Sequence, residues 1–329
     1  MSAAAAETDL AAIGADVNWP DHDAATAARE LLAGSGGRLG HLEDLAEWLA
    51  GLQASCPPRD LTRVRCVAFA GDHGVAPIAG SPAGLDSGIP ALLGIDVRVV
   101  DVCLDSERAG PHRIRRGSGR IDIEDALRAD EVRAAVSLGA TLADEQVDSG
   151  ADLLIATVPG SGADLAAATV VAVLTNTEPV RVATRGAAAT DPETWMAQVT
   201  AIRDARRRGF AHRGDPDALL ASIGGADLAA AAGFLLQAAV RRTGVLLDGL
   251  PALAAALVAY EAQPRAVRWW QAADHAPGPA YELALTKLGL RPVLDLGLGL
   301  VDGSAGALAV PVLRAAVSSL AALAARGAS

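Results

Sequence analysis

Short apolar runs alternate with longer segments of helical periodicity along most of this chain. The runs predict strands at residues 64–70, 96–102, 152–158, 244–247, 266–272 and 292–296. Apolar residues at helical spacing predict helices at 24–33, 39–52, 163–174, 192–210, 226–242, 251–261 and 280–288, two more within 123–151, and one at the C-terminal end. This alternation predicts an α/β fold, with a mainly parallel sheet and helices on both faces.

The chain has 329 residues and shows no internal repeat or low-complexity linker, so we expect a single α/β domain covering 1–329. The first helices precede the first predicted strand, and we expect them to form a small N-terminal helical subdomain or a dimerisation layer. That helical layer is placed at about residues 20–60, together with the last helix at 305–329.

Composition and charge narrow the class of protein. The net charge of −11 argues against a general binder of nucleic acid or anionic membranes. The densest basic cluster, at residues 203–208, is interpreted as a solvated helix face that could still supply one arginine to an anionic ligand. Three cysteines without metal-type spacing, no signal peptide and no convincing membrane span predict a soluble cytoplasmic protein.

An apolar run near the C-terminal end of the chain stops at a single acid, Asp302, before small residues lead into the last helix. In α/β proteins, ligands bind where strands end and helices begin. A carboxylate walled by leucines would lose hydration and become more basic there, so Asp302 is a candidate catalytic acid or base. The alternative is structural: Asp302, Gly303 and Ser304 would form a turn and an N-cap for the helix.

Two glycine-containing loops are candidates for binding phosphate, because glycine lets a backbone approach an anion and helix N-termini attract one. The first contains Gly160, Ser161 and Gly162, for which the alternative is a tight turn. The second contains Gly224 and Gly225, where a plain helix start is an equal alternative. In the first turn after the first loop, Asp164 would repel a phosphate.

Asp72 and His73 lie between glycines after the first predicted strand, where they form a candidate acid–base pair. Packing of the loop is the alternative interpretation, and two adjacent residues alone do not make a metal site. The chain contains no Gly-x-Ser-x-Gly, Walker or His-Glu-x-x-His motif, which excludes the common hydrolase, nucleotide-triphosphatase and metalloprotease classes.

Several motifs occur together in an order that resembles one family. They are Gly-Ser-Gly-Gly-Arg-Leu at 34–39, Val-Ala-Phe-Ala-Gly-Asp-His-Gly-Val at 67–75, Gly-Gly-Ala-Asp-Leu-Ala at 224–229, Val-Leu-Leu-Asp-Gly at 245–249, and the stretch at 288–297. Across roughly residues 20–325, the chain is similar to the nicotinate-nucleotide–dimethylbenzimidazole phosphoribosyltransferases. The resemblance implies an α/β homodimer that moves 5-phosphoribose from nicotinate mononucleotide to a benzimidazole. The product is α-ribazole phosphate for the lower ligand of cobalamin, and no cofactor or metal is expected.

The resemblance also implies roles for individual residues. Asp302 stands where the family has its glutamate base, in a Leu-Gly-Glu-Gly-Thr-Gly context, and Leu300 falls where the family packs the benzimidazole. Asp72, His73 and Ser81 are expected near the same base. The phosphate is expected at the two glycine loops, at Gly160, Ser161, Gly162, Gly224 and Gly225.

The chain departs from the family pattern at four places. Asp302 is one methylene shorter than glutamate, and residues 156–164 lack the acid and both threonines of the family's phosphate loop. The segment at 75–94 is short, with Ser81 as its one matching polar residue, and the loop at 273–279 lacks a glutamate. Two alternatives to an active transferase therefore stay open. One is a weakly active or inactive paralogue that serves as a binding or regulatory subunit, paired with an active homologue. The other is a nucleotide hydrolase on the same scaffold.

Overall fold

A computed structural model of the chain describes residues 8–34, 36, 38–75, 87–184 and 192–327. Its centre is a sheet of five parallel strands in the order β2-β1-β3-β4-β5. The strands are β1 Val64–Gly71, β2 Val97–Cys103, β3 Leu153–Thr157, β4 Val245–Asp248 and β5 Trp270–Ala272. The three central strands, β1, β3 and β4, are buried along almost their whole length, as strands covered on both faces require.

Twelve α-helices lie within the described residues. They are α1 Leu10–Gly14, α2 His22–Ala33, α3 His41–Gln53, α4 Ile89–Leu92, α5 Ala129–Asp148, α6 Ala163–Leu174, α7 Pro192–Gly209, α8 Pro216–Leu219, α9 Ala226–Val240, α10 Gly249–Ala262, α11 Pro279–Leu288 and α12 Ser304–Gly327. Helix α9 packs on the sheet beside α10, with α5 and α6 outside them, whereas α12 packs on β3 and β4 and contacts α2, α3 and α4.

Side-chain alternation along β1 shows that helices cover both faces of the sheet, because successive residues of a strand point to opposite sides. Phe69 stacks edge to face on Phe234 of α9, with ring centroids 5.3 Å apart. Cys66, three positions earlier, points to the other face, where a Cβ on Gly303 would lie 2.8 Å from its Sγ. The predicted α/β class, with a mainly parallel sheet and helices on both faces, is confirmed.

Close contact between α5 and α9 depends on two glycines. A Cβ on Gly139 would lie 1.8 Å from the carbonyl oxygen of Ala230, and one on Gly233 would lie 2.3 Å from that of Val136. Such distances are impossible for real side chains, so each helix backbone rests directly on the other. Small residues thus supply the packing in a core that has few aromatic side chains.

Helix α12 is the one helix in the described part of the chain that is long and apolar enough to cross a membrane, with a mean hydropathy of 1.8 over its best window. Its first half packs into the core, where Ala307, Ala309 and Leu313 are fully buried. Outside the core, the Arg314 Nε donates a hydrogen bond to the carbonyl of Leu61, 2.9 Å away. These contacts attach the first half of α12 to the rest of the fold.

Three predicted elements were wrong. Residues 264–269 form a 3-10 helix, where Pro264 starts the turn and the Gln263 side chain caps it, so β5 begins only at Trp270. The strand expected at 292–296 is reduced to one bridge between Leu294 and Asp274. The segment 123–151 contains one helix rather than two, since α5 begins at Ala129 and residues 120–128 form turns.

Candidate active site

The loops that follow the strands meet at one edge of the sheet, because all five strands run in the same direction. Asp72 follows β1 and Gly160 follows β3. Asp248 is the last residue of β4, and Asp274 follows β5. A stretch at residues 294–306, here named the 294–306 segment, is non-helical as far as Gly303 and runs past the ends of β4 and β5 into the first turn of α12. It carries both Leu300 and Asp302.

Asp302 receives hydrogen bonds from two backbone amides, one close to it in the sequence and one far away. Its Oδ1 accepts from the amide of Ser304 at 3.0 Å, and its Oδ2 accepts from the amide of Ser87, also at 3.0 Å. The hydroxyls of Ser87 and Ser304 are themselves 2.6 Å apart. The hydrogen bond to Ser304 is the one that the capping interpretation predicts.

The expectation that Asp302 becomes more basic was wrong in sign. Partial burial pushes its pKa upward, but the hydrogen bonds from Ser304 and Ser87 outweigh burial, so the pKa lies below its usual value. Asp302 is therefore ionised at neutral pH. Leu300, two residues earlier, is partly buried, so an apolar side chain and an ionised carboxylate lie on the same short stretch.

Asp248 is a buried acid that was not among the site residues predicted from the sequence pattern. Its Oδ2 accepts from the amide of Gly306 at 2.9 Å, and its Oδ1 has no partner among the described residues. Burial raises the pKa of Asp248 to about 7, and the nearby charges of Asp302 and Asp274 act in the same direction. The available signal was a buried strand ending in Asp-Gly at 248–249.

Thr157 of β3 is the register partner of Asp248 in the neighbouring strand. Both side chains are fully buried, and the Thr157 Oγ1 also has no hydrogen-bond partner in the described chain. Register partners in a parallel pair point to the same face, so two unpaired polar atoms lie on neighbouring strands under the start of α12. Buried polar atoms of this kind are normally paired.

Asp274 binds the 294–306 segment through both carboxylate oxygens. Its Oδ1 accepts from the amide of Leu296 and its Oδ2 from that of Leu298, each at 2.7 Å. Asp274 is buried, and its neighbour His275 contacts Asp295 on the same segment at 3.1 Å. The two hydrogen bonds to Asp274 use amides that a sixth strand would have needed, which explains why residues 292–296 form only one bridge.

Asp72 and His73 connect the end of β1 to the loop after β3. The Asp72 Oδ1 accepts from the amide of Ser161 at 2.9 Å, and the His73 amide donates to the Ser161 carbonyl at 2.8 Å. The imidazole Nε2 lies 2.9 Å from the Asp227 Oδ2. Burial lowers the pKa of His73, but the charge and hydrogen bond of Asp227 outweigh burial, so the pKa is raised overall.

The structure places the two glycine loops on either side of His73. A Cβ on Gly162 would lie 3.1 Å from the His73 Cβ, and one on Gly225 would lie 2.6 Å from its Cε1. Gly162 and Gly225 both have positive φ, at 77° and 115°. The Gly225 amide donates to the carbonyl of Leu220 at 3.3 Å, so it is already bonded. Gly224 is buried at the end of a π-helical turn.

Gly160 is required by packing, because a Cβ there would lie 1.6 Å from the carbonyl oxygen of Gly71. The amides of Gly160 and Gly162 donate to no acceptor in the parts of the chain that the structure describes, whereas that of Ser161 bonds to Asp72. In the next turn, burial raises the pKa of Asp164. Ser81, expected near the base, lies outside the described residues.

The arrangement joins several features that a glycosyl transfer needs. Asp302 can take a proton, Leu300 offers an apolar surface beside it, and the unbonded amides of Gly160 and Gly162 can bind an anion. Asp72 and His73 are brought to the first glycine loop, and no described contact connects them directly to Asp302.

Comparison with known proteins identifies the family. The family model that matches the chain is described as phosphoribosyltransferase and covers residues 17–83 and 88–328. The nicotinate-nucleotide–dimethylbenzimidazole phosphoribosyltransferases of Mycolicibacterium paratuberculosis and Mycobacterium avium are each 48% identical over 333 residues, covering 94% of this chain and 95% of theirs.

A solved structure of the same kind of enzyme, from Thermus thermophilus, aligns with a TM-score of 0.83 at 29% identity. The alignment covers 91% of this chain and 96% of that one, so the whole fold is shared and not only the sheet. Because the family model and the 48% identical relatives both span nearly the whole chain, this protein belongs to the phosphoribosyltransferase family.

Proposed function

We propose that this protein transfers 5-phosphoribose from nicotinate mononucleotide to a benzimidazole-type base, giving α-ribazole phosphate. The observation that carries the proposal is Asp302, an ionised carboxylate beside Leu300 at the start of α12, in a chain 48% identical to enzymes named for this reaction. Its position supports the role of proton acceptor, which is what attack by a benzimidazole N–H requires.

In the proposed reaction, the bond between ribose C1′ and the nicotinate nitrogen breaks, and its electron pair neutralises the cationic pyridinium ring. The other ring nitrogen of the benzimidazole supplies the lone pair for the new bond to C1′. The N–H proton of the benzimidazole then passes to the carboxylate of Asp302. No group on the protein needs to protonate the leaving nicotinate, so one basic side chain is sufficient.

We propose that the phosphate binds at the first glycine loop. Its support is the pair of amides at Gly160 and Gly162 that donate to no described acceptor, close to the start of the long helix α6. Gly225 has weaker support, because its amide is bonded to Leu220, and Gly224 and Gly225 would border the phosphate through their backbone. Asp72 and His73 would support the loop through Ser161 rather than touch the base.

Four further expectations accompany this proposal. By analogy with the family, the protein acts as a homodimer in the cytoplasm, and Ser81 contacts the aromatic base. The single-domain organisation inferred from the sequence is retained, with α2, α3 and α12 as the helical layer. Sedimentation of the purified chain tests the oligomeric state independently of activity.

The function is tested by incubating the pure protein with nicotinate mononucleotide and 5,6-dimethylbenzimidazole and following nicotinate and α-ribazole phosphate. We expect turnover by the wild type and loss of turnover in Asp302→Asn, which keeps the shape of the side chain but removes its charge. Asp295→Asn, an exposed acid seven residues earlier in the same segment, is the matched control. Nicotinate release without ribosylated base would indicate hydrolysis. No turnover with a panel of bases, and no calorimetric binding of the mononucleotide, would reject the proposal.

A further inference from the structure

The 294–306 segment has little in its own sequence to fix its shape. Gly297 has a φ of +69°, and neither Gly297 nor Gly299 has any neighbour within 4 Å of the position of a Cβ. Leu296 is 59% exposed. Glycine-rich backbone loses much conformational entropy when ordered, so other groups must help to hold it in place.

Asp274 holds the first part of the segment. Its two carboxylate oxygens accept from the amides of Leu296 and Leu298, both at 2.7 Å, and this acid is only 2% exposed. Hydrogen bonds to an ionised, buried acceptor are stronger than neutral ones. Asp274 itself is fixed by the bridge to Leu294 and by the hydroxyl of Tyr281, which donates to its carbonyl.

Asp248 holds the other end of the segment. The amide of Gly306 donates to this fully buried carboxyl group, at 2.9 Å from its Oδ2. Asp248 belongs to β4, whose residues are all buried, so it lies in a rigid element. Together the two acids hold the backbone of the segment at Leu296, Leu298 and Gly306, and Leu300 and Asp302 lie between these points.

We infer that Asp274 and Asp248 are positioning residues for Asp302. They hold the 294–306 segment on both sides of Asp302, so that the Asp302 carboxylate meets the acceptor base in a fixed geometry. This inference rests on the proposed function, in which Asp302 takes the proton. Displacing a catalytic group by about 1 Å costs on the order of 100-fold in rate, so the way the segment is held matters for catalysis.

Asp274→Asn in the full-length protein tests the first anchor. The amide keeps one acceptor oxygen but turns an NH₂ group toward one of the two backbone amides, so one hydrogen bond is lost. We expect hydrogen exchange at residues 296–298 to become roughly tenfold faster or more. We also expect kcat for transfer to fall about 100-fold, with KM for nicotinate mononucleotide unchanged.

The pH profile separates positioning from loss of folded protein. When the segment moves, Asp302 loses its amide donors and its pKa rises, so the acid side of the kcat/KM profile shifts to higher pH in Asp274→Asn. A smaller folded fraction lowers the whole profile without moving it. Asp295→Asn changes the charge of the same segment without touching a backbone donor, and it should alter neither exchange nor kcat.

The second anchor is tested with a pair of variants. Asp248→Ala removes the acceptor oxygen and should speed exchange at Gly306 and lower kcat. Asp248→Asn keeps one acceptor for Gly306 and should lie between Asp248→Ala and the wild type. If the alanine variant does not fold, the asparagine variant and Asp274→Asn still decide the inference.

Two results would overturn the inference. One is that exchange and kcat in Asp274→Asn equal those of Asp295→Asn, and the other is that exchange in Asp274→Asn is faster while its kcat is unchanged. A failure of the proposed function looks different, because the wild type then gives no product and Asp302→Asn changes nothing. The exchange rates alone would in that case decide whether the two acids hold the segment.

Discussion

The imidazole of His73 and the carboxylate of Asp227 are 2.9 Å apart, and neither side chain reaches solvent. Removal of one member leaves the other buried and unpaired, which typically costs about 3–5 kcal/mol, so His73→Ala should lower the free energy of unfolding by about 3 kcal/mol or more. Urea denaturation at pH 7 measures this loss. His275→Ala is the control, because His275 also contacts two acids but is partly exposed, and it should cost about 1 kcal/mol or less.

The same pair should give a pH dependence with a definite sign. The pKa of His73 is raised in the folded protein, so its contribution to stability is complete below about pH 6.5 and is lost as pH rises through the folded value. Above neutral pH, the free energy of unfolding of His73→Ala should therefore fall less steeply with pH than that of the wild type. Parallel curves for the two proteins would contradict the ion pair.

Asp248 should lower the stability of the folded protein progressively as the pH rises from about 4 to about 7, and the full loss remains above pH 7. Its pKa rises from 3.8 to about 7 on folding, so the unfolded chain releases this proton more readily across that range. A difference of about three pKa units corresponds to on the order of 4 kcal/mol at most. Asp248→Asn should flatten this part of the curve, measured by urea denaturation at several pH values, whereas Glu30→Gln, at an exposed acid of α2, should leave it unchanged.

Gly160→Ala should disrupt the contact between β1 and the loop after β3. The added methyl would lie 1.6 Å from the carbonyl of Gly71, so one of two buried backbones must move. We expect a loss of about 3 kcal/mol or more, as seen for severe overpacking, together with loss of transfer. Gly214→Ala is the control, because nothing lies within 4 Å of its Cβ position and its φ is not positive. Equal melting temperatures for the two variants would refute the close approach.

The pH dependence of transfer tests the state of Asp302. Its pKa is held below the usual 3.8 by hydrogen bonds, so this group should remain an active, ionised base across pH 5–8. The kcat/KM of the wild type should therefore show no inflection from Asp302 over that range, and Asp302→Asn should lose activity at every pH within it. An acid limb near pH 6, traced to Asp302 by a shift in Asp302→Glu, would mean that the carboxylate is not held by Ser87 and Ser304.

The parts of the fold that sequence pattern predicted well are those fixed by local interactions. Helix α6 was expected at 163–174 and lies at Ala163–Leu174, because a left-handed Gly162 precedes it and an apolar surface runs along its whole length. The strands at 64–70, 96–102, 152–158 and 244–247 were placed to within one residue at each end, since buried parallel strands are continuous apolar runs.

The predictions that were wrong concern residues whose structure depends on distant parts of the chain. Residues 292–296 have the apolar pattern of a strand, but Asp274, about 20 residues earlier, takes two of the amides that follow Leu294. The position of Asp302 could be predicted from sequence, but the direction of its pKa could not, because one of its donors is the amide of Ser87, 215 residues away. Asp248 was overlooked because an acid at the end of a strand looks like an ordinary turn residue.

The hydrogen bond between Asp302 and Ser87 spans 215 residues of sequence, and this has a consequence for the order of folding. Contacts between distant parts of a chain form only after a large loss of chain entropy, so they tend to form late. The candidate base therefore acquires its final environment after most helices exist. During refolding from urea, enzymatic competence should return more slowly than helical circular dichroism, which makes turnover a reporter of the last contacts to form.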